Sequence, residues 1–353
     1  MTEDITVMTW NTNGDAGVSQ KRIRGQKDFF SDHHGDTDLF LLQAVQYATD
    51  DDEKESHFQE LKDYFEDRGY HIAHTRDWSN QLRKLDVQPY HNISSPFSRC
   101  KITASRWSID RKPLDLRNRG DGKPVGLNYF YTNFLTGPFV SDVHIDTLTP
   151  DDVELEVWNT GIIHGSGWKE EKINALETIY GRIYLQNRYT DRKVILGGDF
   201  NAPKREVSEQ RNGETDVEIE PHHPALQKDK PFYGNPYRYQ DPAGEQEGDT
   251  VQFTFRQRWE NAESYIFDSE KSDWNMKDAY WYADDSLKQS SVEDYSFDFP
   301  LEGVDNKRLD HILADETQFD IICCEVQNGH ETDANGFDAS DHAAVKATLE
   351  IKE

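Results

Sequence analysis

Short apolar runs that stop at polar side chains recur along this chain and predict buried β-strands. The clearest runs are ITVMTWN, LFLLQAVQ, KVILGGDFN, DIICCEV, RLDHIL and ASDHAAVKATLEI. Apolar runs of about four to eight residues bounded by Asn, Asp or Gly are typical of such strands. Amide, carboxylate and imidazole groups are therefore expected to collect where the strands end.

Two helices are predicted near the N-terminus. Ser19 is placed to cap a helix that continues to about Phe30. The stretch SHFQELKDYFEDRG has apolar residues at helical spacing, with Ser56 as a candidate N-cap and Gly69 as a candidate stop. A further strand is expected from Tyr70 to His74.

The middle of the chain predicts a strand, a helix and a second strand. VELEVWNTGIIHGSG and KVILGGDFN are rich in β-forming residues, and apolar residues recur at helical spacing between them. The two strand ends present His164 and Asp199. Ligands bind most often at the strand ends of open α/β sheets, so both residues are candidates for chemistry.

The stretch from residue 204 to about 250 lacks periodicity and is rich in Glu, Asp, Gly, Pro and Gln. It is predicted to be a surface insertion in a single domain that spans residues 1–353. Aromatic residues return afterwards. The stretch from Trp274 to Tyr282 is consistent with a platform for stacked bases or with buried packing, and packing is the favoured interpretation.

The composition is that of a very acidic globular protein. Hydrophobic residues make up 35% of the 353 residues and aromatic residues 12%, which is enough for a substantial core. The net charge of -28 argues against binding of polyanions through bulk electrostatics, because nucleic-acid binders usually carry a basic surface. A phosphate-bearing substrate would have to be recruited locally or through a metal. The same acidity suits a protein that works in concentrated salt.

The N-terminus, MTEDITVMTWN, has neither a basic segment nor a long apolar one. We expect a soluble protein without a classical export signal, located in the cytoplasm and not bound to a membrane. The three cysteines, Cys100, Cys323 and Cys324, are expected to be buried free thiols. No protein partner is indicated, and a monomer is expected.

Four strand-end segments carry the candidate chemistry: His164 in IIHG, Asp199 in GDFN, Asp310 in RLDHIL, and Asp341-His342 in ASDHAAV. Taken singly, each acid could be an ordinary turn residue and each histidine a hydrogen-bonded structural residue. Together, carboxylates, amides and histidines at several strand ends are suited to holding a hard cation and a phosphate group.

The blocks TWNTNGD, LFLLQAVQ, NTGIIHGSG, ILGGDFNAP, RLDHIL and ASDHAAV, in this order, resemble those of the endonuclease/exonuclease/phosphatase superfamily. The resemblance spans nearly the whole chain, and the GDFN and SDHAAV blocks are the most specific. It implies an α/β fold of the DNase I type, a four-layer sandwich of two packed mixed β-sheets flanked by helices. It also implies a phosphodiesterase that depends on Mg2+ or Mn2+.

The resemblance implies roles for the residues that match its motifs. Asn11 would lie near the metal and the phosphate, with Asn13 as a further substrate-binding candidate, and Asp341 would be a metal ligand. Asp199 would orient or deprotonate the attacking water, while Asn201 would hold a phosphate oxygen. In-line attack on phosphorus needs an activated water and neutralised phosphate oxygens, which agrees with these roles.

The resemblance also implies roles for two histidines, at the leaving oxygen and at the phosphoryl group. By resemblance, His164 would stabilise charge on the leaving oxygen or protonate it. His342 would contact the phosphoryl group, with Asp310 orienting its ring. In SRCKITASR the family commonly has a strand ending in Ser-Arg beside the cleft, so Arg99, Lys101 and Arg106 either steer a phosphate or only balance nearby acids.

One position departs from the family. The block that corresponds to LFLLQAVQ normally ends in Leu-Gln-Glu and supplies a principal magnesium ligand, but here Ala44 takes that place. The alanine is either a deliberate change that silences an enzyme, which the intact remaining blocks favour, or a natural loss. A weaker alternative is that Asp15 or Gln43 compensates, although a shift of one residue along a strand points the side chain to the other face.

The leading functional hypothesis is a metal-dependent DNA nuclease that is inactive or impaired because of Ala44. The IIHGSG block is more similar to the DNase I-like and sphingomyelinase-like pattern than to that of abasic-site endonucleases, which have a tyrosine there. The alternatives are a phosphoesterase of a small ester, such as an inositol phosphate, a nucleotide or a phospholipid head group, and a non-catalytic phosphate-binding protein.

Overall fold

The structure is a computed structural model, and it describes residues 4–14, 18–46, 57–75, 100–110, 129–132, 141–150, 153–162, 172, 175–181, 183, 193–201, 266–267, 275–283, 295–297, 308–329 and 333–352. The described strands are β1 (Asp4–Asn11), β2 (Leu39–Val45), β3 (His71–His74), β4 (Cys100–Ser105), β5 (Ile109–Asp110), β6 (Tyr129–Thr132), β7 (Ser141–Leu148), β8 (Leu155–Gly161), β9 (Lys193–Asp199), β10 (Met276–Asp278), β11 (Asp310–Asp315), β12 (Phe319–Gln327) and β13 (Ala344–Ile351). The described helices are α1 (Gln20–His33), α2 (His57–Glu66) and the short α3 (Ala279–Tyr282). Residues 175–181 are also helical.

The strands form two mixed sheets. The first has the order β12-β13-β1-β2-β4-β3, and the second has the order β10-β11-β9-β8-β7-β5, with β6 also paired to β7. Each sheet contains one parallel pair, β1 with β2 and β8 with β9, among the described strands. A helix lies between the members of each pair in the chain, as a parallel connection requires. The strand, helix, strand unit predicted from the sequence is therefore confirmed.

Alternation along the strands divides the apolar residues into three layers of core. Ile5 and Val7 of β1 point into the core between the sheets, while Met8 and Trp10 pack on the outer face with α1 and α2. The outer face of the second sheet packs on the helical residues 175–181. The four-layer α/β sandwich of the DNase I type expected from the sequence is thus confirmed.

The predictions for the described local elements agree with the structure except at Cys323. The side chain of Ser19 accepts a hydrogen bond from the backbone N of Arg22 and caps α1 as predicted. The described part of the stretch from Trp274 to Tyr282 forms β10 and α3, and Ala279 and Tyr280 are buried, in agreement with the packing interpretation. The Asp278 carboxylate accepts from the Tyr280 backbone N at the start of α3. Cys323 is only half-buried, since it lies on the edge strand β12. The predicted insertion at 204–250 lies outside the described residues, and no described helix is long and apolar enough to cross a membrane.

Candidate active site

The ends of four strands meet at one edge of the sandwich. Asn11 ends β1 and Asp199 ends β9, while Asp310 begins β11 directly opposite Asp199. His342 lies in the turn that leads into β13. Because β9 and β11 are antiparallel, the last residue of one strand and the first of the other share this edge. The order of strands therefore assembles groups that are far apart in sequence.

Asp199 is held by amides on two sides. The side chain of Asn11 donates from Nδ2 to Asp199 Oδ2 at 2.9 Å, and that of Asn201 donates to the same oxygen at 3.0 Å. The backbone N of Asn201 donates to Asp199 Oδ1 at 2.8 Å. Burial, and the negative charge of Asp310, nevertheless raise the pKa of Asp199. A fixed carboxylate with a raised pKa is suited to accepting a proton from water.

His342 and Asp310 form a second unit. The Nδ1 of His342 donates to Asp310 Oδ2 at 2.7 Å, and Ser296 Oγ donates to the same oxygen at 2.7 Å. Burial alone would lower the pKa of His342, but the adjacent Asp310 carboxylate raises it to about 9. The ring is therefore an imidazolium at neutral pH, with both nitrogens protonated. Its Nε2 lies 3.4 Å from Asn11 Nδ2, on the side that faces Asp199.

The backbone around these residues is also tied together. Trp10 donates from Nε1 to the carbonyl of His342 at 2.8 Å, and Ser340 Oγ donates to the carbonyl of Asn11 at 2.7 Å. These two bonds lock the end of β1 to the turn before β13. The two units described above are thus held at a fixed separation.

The charged groups at this edge fit a divalent cation. Ligand atoms of Asp199, Asp310 and His342 all lie within 4.8 Å of one another. Asp310 Oδ1 is buried and has no hydrogen-bond partner among the residues that the structure describes. Asp341, predicted as a ligand, is exposed next to His342. Carboxylate and amide oxygens are the donors that Mg2+ prefers, so the carboxylate oxygens of this group are its candidate ligands.

Ala44 lies at the end of β2 at the same edge. It is buried, with φ at +50°, and its methyl group offers no ligand atom. Its carbonyl accepts from the backbone N of Gly14 at 2.6 Å and from Thr12 Oγ1 at 3.3 Å. Asn13 and Asn201, each with φ at +47°, are the other non-glycine residues in the left-handed region within the described part of the chain. Asparagine tolerates that region, whereas alanine is strained there by about 1–2 kcal/mol.

The amide nitrogen of Gln43, the described candidate for compensation, is committed to contacts between the sheets. Its Nε2 donates to Thr9 Oγ1 at 3.0 Å and to Asn159 Oδ1 at 2.9 Å, both between the two sheets. Asn159 in turn donates to the carbonyl of Ile102 at 3.0 Å. The Nε2 of Gln43 therefore bridges the sheets, while its Oε1 is buried and has no hydrogen-bond partner among the residues that the structure describes. The other candidate, Asp15, lies outside the described residues.

The structure brings some predicted residues together and separates others. Asn13 is at this edge, where its backbone N donates to Asn11 Oδ1 at 3.0 Å. Arg106 is not, because β4 runs antiparallel to β2 and places Ser105 opposite Leu39, at the far end of the sheet. There Arg106 donates to the Gly35 carbonyl at 2.5 Å, so it is not placed to bind substrate at this site. His164 lies outside the described residues.

Two site residues were not predicted from the sequence. Ser296, which orients Asp310, lies in a stretch without periodicity. Lys172 is fully buried and donates from Nζ to the Asn201 carbonyl at 2.5 Å. Sequence reasoning could have found Lys172 because it lies at an inward-facing position of the predicted helix, and a lysine is rarely buried without a polar partner.

Comparisons with known proteins agree with the fold. The family model described as "Endonuclease/Exonuclease/phosphatase family" matches residues 8–342. No curated protein matches the chain. Among solved structures, an endonuclease/exonuclease/phosphatase family protein from Leptotrichia buccalis C-1013-b is 13% identical, with a TM-score of 0.54 and coverage of 99% of this chain and 100% of its own.

Two further structures have similar scores. D. rerio TDP2 complexed with a single-strand DNA product is 12% identical, with a TM-score of 0.55 and coverage of 98% of this chain and 99% of its own. The endonuclease/exonuclease/phosphatase from Bacteroides vulgatus is 15% identical, with a TM-score of 0.52 and coverage of 99% and 100%. At these identities, the likeness shows the fold.

Proposed function

This chain belongs to the endonuclease/exonuclease/phosphatase family of metal-dependent phosphoesterases, and we propose that it is a phosphodiesterase acting on DNA whose turnover is impaired by Ala44. The observation that carries the proposal is the pair of buried units at one edge. A carboxylate with a raised pKa, Asp199, faces an imidazolium, His342. This pairing supplies both a proton acceptor and a hydrogen-bond donor to phosphate.

The described residues divide the work of hydrolysis between them. Asp199 would orient a water molecule and accept its proton as the water attacks phosphorus, held in place by Asn11 and Asn201. The Nε2–H of His342 would donate to a phosphoryl oxygen, and Asp310 fixes the orientation of the ring. His164 is proposed, from the sequence alone, to protonate the leaving oxygen.

A bound Mg2+ or Mn2+ would neutralise charge on the phosphate oxygens, and Asn11 and Asp341 are the residues proposed to hold it. Position 44 would normally add a carboxylate to that set. Alanine has no oxygen to contribute, so we expect weak metal binding and little turnover in this chain. The backbone at position 44 is nevertheless held by Gly14 and Thr12, so the site is otherwise assembled.

DNA is favoured as the substrate because the structurally similar D. rerio TDP2 was solved with a single-strand DNA product. The net charge of -28 is the observation that favours the second candidate, a small phosphate ester, which needs no extended basic surface. A binding role without catalysis is the third candidate, and it predicts that no change at position 44 gives turnover.

The test compares this chain with Ala44→Glu and with the double variant Ala44→Glu/Asp199→Asn. Substrates are supercoiled plasmid, single-stranded DNA, RNA and bis(p-nitrophenyl) phosphate, with Mg2+, Mn2+ or EDTA, at low and molar salt. We expect metal-dependent cleavage of DNA by Ala44→Glu and none by the double variant. Cleavage of only the small ester would support the second candidate, and the absence of any cleavage by Ala44→Glu would refute the nuclease proposal.

A further inference from the structure

A buried glutamine lies on the apolar face of α1. Gln26 is fully buried, at helical spacing from the buried residues Ile23 and Phe29. Its Nε2 donates to two backbone carbonyls, that of Thr12 at 3.0 Å and that of Ala339 at 3.1 Å. A side-chain amide has two N–H groups, so both are used. The glutamine thus ties the segment after β1 to the turn before β13.

A buried histidine at the start of α2 continues this network. The Nδ1 of His57 accepts from the backbone N of Gln46 at 3.1 Å, and its Nε2 lies 2.6 Å from Gln26 Oε1. A backbone N–H can only donate, so Nδ1 carries no proton. Burial, followed by the positive charge of Arg22, lowers the pKa of His57 to about 3, which keeps the ring neutral. The single ring proton is therefore on Nε2 and is donated to Gln26.

These bonds end on the three segments that carry the proposed metal positions. Each anchored backbone group lies one or two residues from such a position: Thr12 from Asn11, Ala339 from Asp341, and Gln46 from Ala44. The proposed base, Asp199, lies on β9 of the other sheet and receives two hydrogen bonds from Asn201 that do not involve these segments. The network therefore supports the metal side of the site more directly than the base.

We propose that Gln26 and His57 are positioning residues that hold the segments carrying Asn11, residue 44 and Asp341 in register with one another. The proposal rests on the proposed function, in that these three positions bind the divalent cation when residue 44 is a glutamate. Both side chains act through backbone carbonyl and N–H groups. Loss of a group that orients metal ligands typically weakens metal binding by about 10–100-fold.

The test measures Mn2+ affinity by electron paramagnetic resonance in the Ala44→Glu background, together with cleavage of bis(p-nitrophenyl) phosphate over a range of Mn2+ concentrations. Gln26→Met, His57→Leu and His57→Asn are compared with the matched control His34→Leu. His34 is as deeply buried as His57, at 2% exposure, but it lies at the C-terminal end of α1. Its ring nitrogens have no hydrogen-bond partner within the described part of the chain.

We expect Gln26→Met and His57→Leu to weaken Mn2+ binding about tenfold or more, and to lower cleavage at saturating Mn2+ by less than about threefold. His57→Asn should lose less than about threefold in affinity, because its Oδ1 can replace Nδ1 as the acceptor for the Gln46 N–H. His34→Leu should leave the affinity unchanged. A merely structural role would lower the melting temperatures of His57→Leu and His34→Leu alike without separating their Mn2+ affinities.

Nuclear magnetic resonance gives a second readout that needs neither metal nor turnover. In the unchanged chain, the His57 ring should be the neutral tautomer with its proton on Nε2. Gln26→Met should shift the backbone amide signals of Asn13 and Asp341 and leave that of Asn201 in place. If Gln26→Met does not fold, Gln26→Glu replaces it, since a carboxylate can accept from His57 but cannot donate to either carbonyl.

The outcomes separate this inference from the proposed function. A proton on Nδ1 of His57, or equal Mn2+ affinity in His57→Leu and His34→Leu, would overturn the inference. If Ala44→Glu binds no Mn2+, the proposed metal-dependent function fails, and the amide signals decide the inference by themselves. Unchanged signals of Asn13 and Asp341 in the Gln26 variant would then refute it.

Discussion

The ion pair between His342 and Asp310 predicts a specific dependence of stability on pH. The pKa of His342 rises from 6.5 to about 9 in the folded protein. A group with a raised pKa contributes stability that is fully present below its unfolded value and is lost as pH increases through the folded value. The contribution of the pair is therefore present below pH 6.5 and disappears as the pH rises to about 9.

The size of the effect follows from the shift and from burial. Both side chains are almost fully buried, at 6% and 0% exposure, so solvent screening is small. A shift of this size corresponds to about 3 kcal/mol at roughly 1.4 kcal/mol per pKa unit. Asp310→Asn removes the charge while keeping a group that can accept from His342 and Ser296. Because Asp199 and Asp341 also raise the pKa of His342, we expect Asp310→Asn to destabilise the protein by at most about 3 kcal/mol at pH 6 and by about 1 kcal/mol or less above pH 9.5.

The assay is urea denaturation at pH 6, 7.5 and 9.5 for the unchanged chain and Asp310→Asn, with NMR titration of the His342 ring in both. The matched control is Asp36→Asn, which removes an exposed carboxylate paired with Lys346. Its effect should stay below about 1 kcal/mol, as for other exposed pairs. Equal destabilisation by Asp310→Asn at pH 6 and pH 9.5 would refute the reasoning, as would a ring pKa near 6.5 in the unchanged chain.

Three further predictions address the catalytic base and the backbone at this edge. In the Ala44→Glu background, Asp199→Asn should lower turnover by about 10²–10⁴-fold in steady-state assays while leaving the melting temperature nearly unchanged, because a proton acceptor is lost. Gly14→Ala should destabilise the fold by about 1–3 kcal/mol in urea denaturation, because the added Cβ would lie 2.2 Å from the Ala44 carbonyl oxygen. Gly35→Ala is the control, and it should cost less than about 1 kcal/mol because the nearest atom to its added Cβ lies at 3.9 Å. Ala44→Gly should stabilise the chain by about 0.5–1 kcal/mol because φ is +50° at that position, and an unchanged or lower urea midpoint would contradict this.

Much of the fold was predictable because its determinants are local. Alternation in β1 assigned Ile5 and Val7 to one face and Met8 and Trp10 to the other, and the polar residues that follow marked the strand end. The site residues Asp199 and Asp310 were predictable for the same reason. Each lies at a point where an apolar run meets a turn, and such points gather at one edge once the strands are paired.

The position of Arg106 away from the site was not predictable. Arg106 directly follows β4, and it lies six positions from Cys100 at the start of that strand, which is about 20 Å at 3.3 Å per residue. Only the antiparallel pairing of β4 with β2 decides which end reaches the site, and that pairing depends on long-range contacts. Ser296 was missed for a related reason, since its role depends on its contact with Asp310 and not on any local pattern.

The hydrogen bonds at this edge explain how the site can remain assembled without a carboxylate at position 44. Asp199 is held by Asn11 and Asn201, and Asp310 by Ser296 and His342, so neither unit uses the side chain of residue 44. The carbonyl of residue 44 accepts from Gly14, a bond that any side chain preserves. Glutamate and alanine also share the same steric restriction at positive φ, because both carry a Cβ atom. Replacement of Ala44 by glutamate should therefore add a carboxylate to the site without rearranging the groups around it, so a gain of metal-dependent cleavage can be assigned to that carboxylate.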